Sequence, residues 1–196
     1  FDRQAMKEAT KKTPQWVHFG AGNIFRAFPA ALQQKLLNEG IEKTGIIVAE
    51  GYDYEIIKKA YRPQDDLSLL VTLKANGTIE KTVIGSLAES LTVDRHDADD
   101  WGRLKEIFAS DTLQMVSFTI TEKGYSITSP DGAFRADVKA DFEAGPENAD
   151  SYIGKLAALC YWRYTNGAAP LALVSMDNCS HNGDKLFAAV DAYAKA

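Results

Sequence analysis

The sequence predicts an α/β fold in which a mainly parallel sheet is doubly wound by helices and interrupted by a β-hairpin. Three observations predict it. Residues 15–19 (QWVHF) read as a short strand that breaks at Gly20-Ala21-Gly22 and hands over to a helix, followed by the near-continuous apolar run 45–49 (GIIVA). Such runs are expected of parallel strands covered on both faces. Two further apolar runs, 112–121 and 170–175, alternate with helical patterns. Between these regions, 67–73 and 78–84 flank Lys74-Ala75-Asn76-Gly77, and Asn-Gly is the strongest short hairpin signal.

Each element follows from local pattern. From Asn23, the apolar positions Ile24, Ala27, Phe28, Ala31, Leu32 and Leu36 recur at helical spacing and stop at Asn38-Glu39-Gly40. Pro29 falls within the first two turns, where a missing N–H is tolerated better than in mid-helix. Residues 54–60 read as helical behind Asp53. In 97–109, Trp101, Leu104, Ile107 and Phe108 keep helical spacing. Residues 126–150 read as a loop because Ser-Pro-Asp-Gly and Gly-Pro interrupt them. Residues 152–164 and 183–196 read as helices, with 170–175 between them as a buried strand. No internal repeat or inter-domain linker is visible, so 1–196 reads as one domain.

Composition narrows the function. The 196 residues carry 22 Lys+Arg against 27 Asp+Glu, a net charge of −5, with 45% hydrophobic and 25% charged residues. These are globular values. An acidic balance without a basic cluster excludes a broad phosphate-tracking surface, so nucleic acid is not the expected partner. No run of about 18 apolar residues marks a membrane span. The start, 1–12, is charged and lacks the apolar core of a signal peptide. Two cysteines, Cys160 and Cys179, are too few for a disulfide scaffold, and the cytoplasm is the expected setting.

The glycine turn carries the first chemistry. Between a strand and a helix, a first glycine allows the tight turn and a second lets backbone approach a pyrophosphate, while the first N–H groups of the helix face the anion. Phe25 replaces the third glycine of G-x-G-x-x-G, so the strict fingerprint is not met. Arg26 is placed to pair with phosphate or to lie solvated. Glu50, directly after the second strand, can hydrogen-bond a ribose diol and repel the extra phosphate of NADP. Asp53 reads better as a helix N-cap.

Two polar stretches follow apolar runs: 119–125 (TITEKGY) and 175–183 (SMDNCSHNG). Ligands of open α/β sheets bind at such strand ends. Asn178 can donate its amide N–H to a developing oxyanion. Asp177 and Asn182 read equally as turn residues. Cys179 and His181 lack an orienting third group, and the three histidines and two cysteines have no metal-ligand spacing, so no metal is expected.

Three stretches resemble one family. Residues 20–28 resemble the G-x-G-x-F-x-R-A motif of the polyol-specific long-chain dehydrogenases, of the mannitol 2-dehydrogenase and fructuronate (mannonate) reductase type. Residues 119–125 resemble that family's T-x-T-E-K-G-Y segment, 175–183 its S-C-D-N-x-x-x-N-G segment, and 63–67 its P-Q-D-G-L turn. Ile24 replaces the family's Phe, Phe28 stands where many members have His, and Met176 replaces Cys. The resemblance implies a Rossmann-like NAD(H)-binding domain, the N-terminal part of a larger zinc-independent oxidoreductase. That enzyme would interconvert a polyol or sugar acid with its keto form. Cofactor contacts are implied at Gly20, Gly22, Asn23, Ile24, Phe25 and Arg26, with Gly20, Gly22 and Arg26 at the pyrophosphate. Glu50 is implied at the adenosine ribose, Thr121, Glu122 and Lys123 along the cofactor toward the nicotinamide, and Asn178 as the catalytic residue that polarises the carbonyl. The family's lysine base belongs to a K-x-x-x-x-N-x-x-H helix in a C-terminal helical domain. That spacing and the family's V-D-R segment are both absent from these residues. The competing expectation is a stand-alone NAD(H)-binding module, a sensor or assembly part without turnover.

Overall fold

The structure, a computed structural model, describes residues 1–167 and 169–196. It divides into two compact units, Phe1–Thr92 and Val93–Ala196.

The first unit opens with helix α1 (Arg3–Lys12), absent from the sequence reading. The Asp2 carboxylate caps it by accepting the Ala5 N–H at 3.0 Å. Met6 and Thr10 are its buried residues, and the Thr10 hydroxyl accepts the Gly45 N–H at 2.7 Å, tying the helix to the start of the next strand. Strands β1 (Trp16–Phe19) and β2 (Ile46–Glu50) run parallel with Val17 opposite Ile47 and Phe19 opposite Ala49. All five residues of β2 are buried, because it lies between β1 and a third parallel strand, β5 (Leu87–Thr92).

The helical stretch after the glycine turn is two helices rather than one. α2 (Asn23–Ala27) stops at Phe28 and α3 (Pro29–Asn38) starts with the proline at its first position. A proline there has no N–H to give and fixes its own φ, so it begins a helix more readily than it continues one. After β2, α4 (Tyr54–Ile56) widens into a π-helical turn, Ile57–Tyr61, and then tightens into a 3-10 turn, Arg62–Gln64. Asp65 and Asp66 follow with φ of 50° and 57°. Arg3 and Lys7 of α1 hold Asp65 by ion pairs of 2.5 and 2.8 Å. The hairpin forms as expected, with β3 (Ser68–Leu73) antiparallel to β4 (Ile79–Ile84) and Gly77 at φ 83° in its turn.

The second unit contains α5 (Ala98–Ala109), β6 (Met115–Phe118), α6 (Thr121–Gly124), α7 (Ala136–Ala144), α8 (Tyr152–Thr165), β7 (Ala172–Ser175) and α9 (Asn182–Lys195). β6 and β7 are parallel, with Phe118 opposite Ser175. Arg163 on α8 donates to the carbonyls of Phe108, Ser110, Leu113 and Ala169, at 2.6–3.1 Å, and so gathers the end of α5 and the approaches to both strands. Two expectations are corrected here. Residues 136–144, read as loop, are a nine-residue helix between Gly132 and Gly145, both at positive φ. β7, read as buried, is exposed at Ala172 and half-buried beyond it, since it pairs with β6 on one flank only among the described residues.

Candidate functional site

In the first unit the glycine turn is gripped through one peptide. Gly20 continues the β1–β2 ladder, its N–H donating to the Ala49 carbonyl at 2.9 Å, and then turns with φ 110°, a conformation that favours glycine. Ala21 is fully buried. Its N–H donates to Glu50 Oε2 at 2.8 Å, and its carbonyl accepts the Tyr61 hydroxyl at 2.8 Å. The other oxygen of Glu50 accepts the N–H groups of Tyr52 and Asp53, at 2.8 and 3.2 Å. Glu50, only 8% exposed, therefore holds the turn. Asp53 occupies the N-cap position of α4, but its side chain makes no cap bond.

Gly22 is different. It sits with φ −75° at the N-cap of α2, in backbone that any residue adopts, and a Cβ built on it would meet nothing within 4 Å. Nothing in the chain itself requires glycine there. The absence of a side chain leaves that backbone open to close approach from outside the chain. Asn23 and Ile24 open α2 ahead of its first internal bond, Arg26 N–H to Gly22 C=O at 3.2 Å, so their N–H groups are the ones a helix start offers an anion.

Arg26 is held in place. Its Nη2 donates to Asn23 Oδ1 at 2.5 Å, its guanidinium lies 5.7 Å over the Tyr61 ring, and its buried Nε has no hydrogen-bond partner among the described residues. An orphaned cationic N–H is costly unless a ligand satisfies it. Arg26 and Asn23 line a cavity of about 650 Å³ whose other walls include Gln64, Leu67, Leu69 and Val83. Phe25, expected among the cofactor contacts, has its ring wholly buried and stacked on His18 at 4.2 Å, so only its backbone is left for a ligand. Burial drives the His18 pKa down to about 3, which keeps the ring neutral beneath the turn. Ile24 is exposed.

In the second unit a carboxylate staples two loops. Asp177, just past β7, accepts the Ile120 N–H at 2.9 Å, the Thr121 N–H at 3.1 Å and the Tyr125 hydroxyl at 2.5 Å. Tyr125 also contacts Ser175 Oγ at 2.8 Å, and burial together with the Asp177 carboxylate pushes its hydroxyl pKa up. The Asn182 amide donates to the Asp177 carbonyl at 2.8 Å, closing the turn from inside. Asp177 and Asn182 thus shape the loop, in keeping with their reading as turn residues. Thr121 is forced to φ 64°, unusual for a β-branched residue. Glu122 is engaged by Lys185 of α9, which holds its carboxyl below the usual range. Lys123 and Asn178 are exposed, and neither side chain has a hydrogen-bond partner among the described residues. His181, at φ 55°, turns its ring toward Asp184 at 3.3 Å. Among the described residues no group of three or more His, Cys, Asp or Glu could hold a metal, and no helix is long and apolar enough to cross a membrane.

The structure thus brings Gly20, Gly22, Asn23, Arg26 and Glu50 together in one unit, and Thr121, Glu122 and Asn178 onto adjoining loops in the other. It adds Tyr61 and Asp177 as the groups that hold those loops. No sequence signal marks Tyr61, since its role depends on a helix returning beneath a turn forty residues earlier.

The family model of the mannitol dehydrogenase Rossmann domain matches residues 14–196. The chain belongs to that family. It is 49% identical over 190 residues to the D-mannonate oxidoreductase of Thermotoga maritima, covering 97% of this chain and 35% of the relative. It is 33% identical over 188 residues to the polyol:NADP oxidoreductase of Gluconobacter oxydans, covering 93% of this chain and 38% of that protein. Among solved structures, the Pseudomonas fluorescens mannitol 2-dehydrogenase in ternary complex with NAD and D-mannitol matches with a TM-score of 0.76 and 30% identity, over 92% of this chain and 37% of that one. The fold is therefore Rossmann-like, and the chain spans little more than a third of the length of these relatives.

Proposed function

We propose that residues 1–196 form the NAD(H)-binding domain of a larger two-domain oxidoreductase that interconverts a polyol or sugar acid with its keto form. The observation that carries this reading is the glycine turn: a Gly22 with nothing within 4 Å of where a Cβ would stand, together with an Arg26 whose buried Nε has no partner among the described residues. NAD(H), when bound, supplies or takes up the hydride.

The chain's own residues do the rest. Gly20 and Ala21 fix the turn, while Gly22 and the N–H groups of Asn23, Ile24 and Phe25 hold the pyrophosphate, with Arg26 adding a charge-assisted bond. The remaining lone pair of Glu50 receives a ribose hydroxyl, and its negative charge disfavours a ribose phosphate. Thr121, Glu122 and Lys123 line the cofactor toward its nicotinamide end. The Asn178 amide donates to the oxygen of the reacting carbon, stabilising negative charge there in either direction. The proton is moved by a base outside these residues.

The first test is a parallel titration with NADH and NADPH, read by energy transfer from tryptophan. NADH should bind the more tightly, and Gly22→Val should weaken it at least 30-fold with the melting temperature unchanged. Equal binding of both coenzymes would remove Glu50 from the ribose site, and an unaffected Gly22→Val would remove the turn. In the full-length enzyme, Asn178→Ala should lower turnover about 10²–10³-fold with coenzyme affinity kept. Normal turnover would take Asn178 out of the chemistry.

A further inference from the structure

The hairpin is inside out. Its register places Leu69 opposite Val83, Val71 opposite Lys81 and Leu73 opposite Ile79. Side chains directly across an antiparallel pair share a face, so one face carries five large apolar groups around a single lysine. All five are exposed, from 46% at Val71 to 74% at Leu73. The opposite face carries Thr72, Glu80 and Thr82, and it meets the apolar core only at its base through Leu70 and Ile84. A hairpin serving only its own fold would have the pattern reversed.

The neighbouring helices also expose large apolar side chains. α2 packs beside β3 and α3 beside β4, with Gln34 of α3 donating to the Val83 carbonyl at 2.8 Å and accepting the Gly85 N–H at 2.6 Å. Ile24, Phe28 and Leu32, four residues apart along those helices, are each about 60% exposed. Scattered surface leucines need no explanation, but a strand-paired apolar face does.

We infer that this face docks the remaining part of the full-length polypeptide. The relatives supply the occupant, since the part of each that this chain matches is 35–38% of its length. A second copy of the chain fits less well, because an isologous contact centred on the Val71–Lys81 pair would bring two lysines together in an apolar interface. The position also suits the proposed function, on which the existence of this occupant rests. The cavity lined by Asn23 and Arg26 is also lined by Leu69 and Val83 of the hairpin. A segment seated on the hairpin therefore reaches the glycine turn, where a substrate-holding half and its base are needed.

Radical footprinting with mass-spectrometric readout tests this on residues 1–196 and on the full-length polypeptide. Side chains 69–83 should label rapidly in the short chain at every concentration, and at least tenfold more slowly in the full-length protein. Val71→Glu with Leu73→Glu, at exposed positions away from the cavity, should restore fast labelling of Leu69, Ile79 and Val83 in the full-length protein. Equal labelling in both proteins would overturn the inference. Protection that rises with the concentration of the short chain would overturn it in favour of self-association. Labelling is read without nucleotide, so a failure of the cofactor assignment leaves this result unaffected, and the reverse holds.

Discussion

The two units solve the same problem with one carboxylate each. In the first, Glu50 at the end of β2 latches the loop after the adjacent parallel strand β1. In the second, Asp177 just past β7 latches the loop after its parallel neighbour β6. Each accepts three hydrogen bonds: Glu50 from the N–H groups of Ala21, Tyr52 and Asp53, Asp177 from those of Ile120 and Thr121 and from the Tyr125 hydroxyl. The difference lies in what is latched. The first loop turns at a glycine, with φ 110° at Gly20, so holding it stores little strain. The second places Thr121 at φ 64°, which the carboxylate must enforce. The lesson is that a glycine supplies one loop's shape from within, whereas the other loop's shape depends on a partner side chain.

Removing the latches gives the largest effects. Glu50→Ala leaves the buried Ala21 N–H without an acceptor, frees the part-buried N–H groups of Tyr52 and Asp53, and should cost about 3 kcal/mol in urea denaturation. It should also weaken NADH binding through the loosened turn, while narrowing the gap to NADPH. Asp177→Ala acts on a more exposed loop that water can partly re-solvate, so about 2 kcal/mol is expected. If the two losses came out in the reverse order, the glycine turn would be the less dependent loop in solvent terms, and the comparison would break.

The sequence showed the first loop far better than the second. Gly20, Gly22 and Glu50 are legible because strand, turn and helix follow each other within one β-α-β unit. Asp177 looked like any turn aspartate, since its partners lie more than fifty residues earlier. The missed elements have similar causes. β5 carries Glu89 and Ser90 in its middle, so it shows neither alternation nor a continuous apolar run. α1 buries only Met6 and Thr10, too few for a visible stripe, and α7 only Val138 and Asp141 between two glycine breakers. The hairpin was legible from Asn-Gly, but not the fact that its apolar face points outward, because alternation gives a period and not a direction.

A smaller effect sharpens the contrast in strain. Thr121→Gly relieves a left-handed conformation worth about 1–2 kcal/mol, against about 0.4–1 kcal/mol of extra unfolded-chain entropy. A net gain of about 0.5–1 kcal/mol is expected. In an Asp177→Ala background the loop is free to relax, and the same substitution should gain nothing. A double-mutant cycle showing additive effects would mean that Asp177 does not enforce the strain.

The last effect is set by pH and belongs to the first loop alone. His18 lies under the glycine turn, stacked on Phe25, and its folded pKa of about 3 is well below the unbound value of 6.5. Between those values the unfolded chain binds a proton that the folded chain does not, so stability rises with pH up to about 6.5 and falls as pH drops below it. At pH 5.5 the loss is about 1 kcal/mol relative to neutral pH. No such buried histidine underlies the second loop, where His181 is exposed. Melting curves from pH 7.5 to 5 should therefore show a slope that His18→Leu flattens, whatever midpoint that variant has, and that His181→Ala leaves in place. An unchanged slope in His18→Leu would mean that the acid sensitivity comes from other groups and that the turn rests on a ring already able to take up a proton.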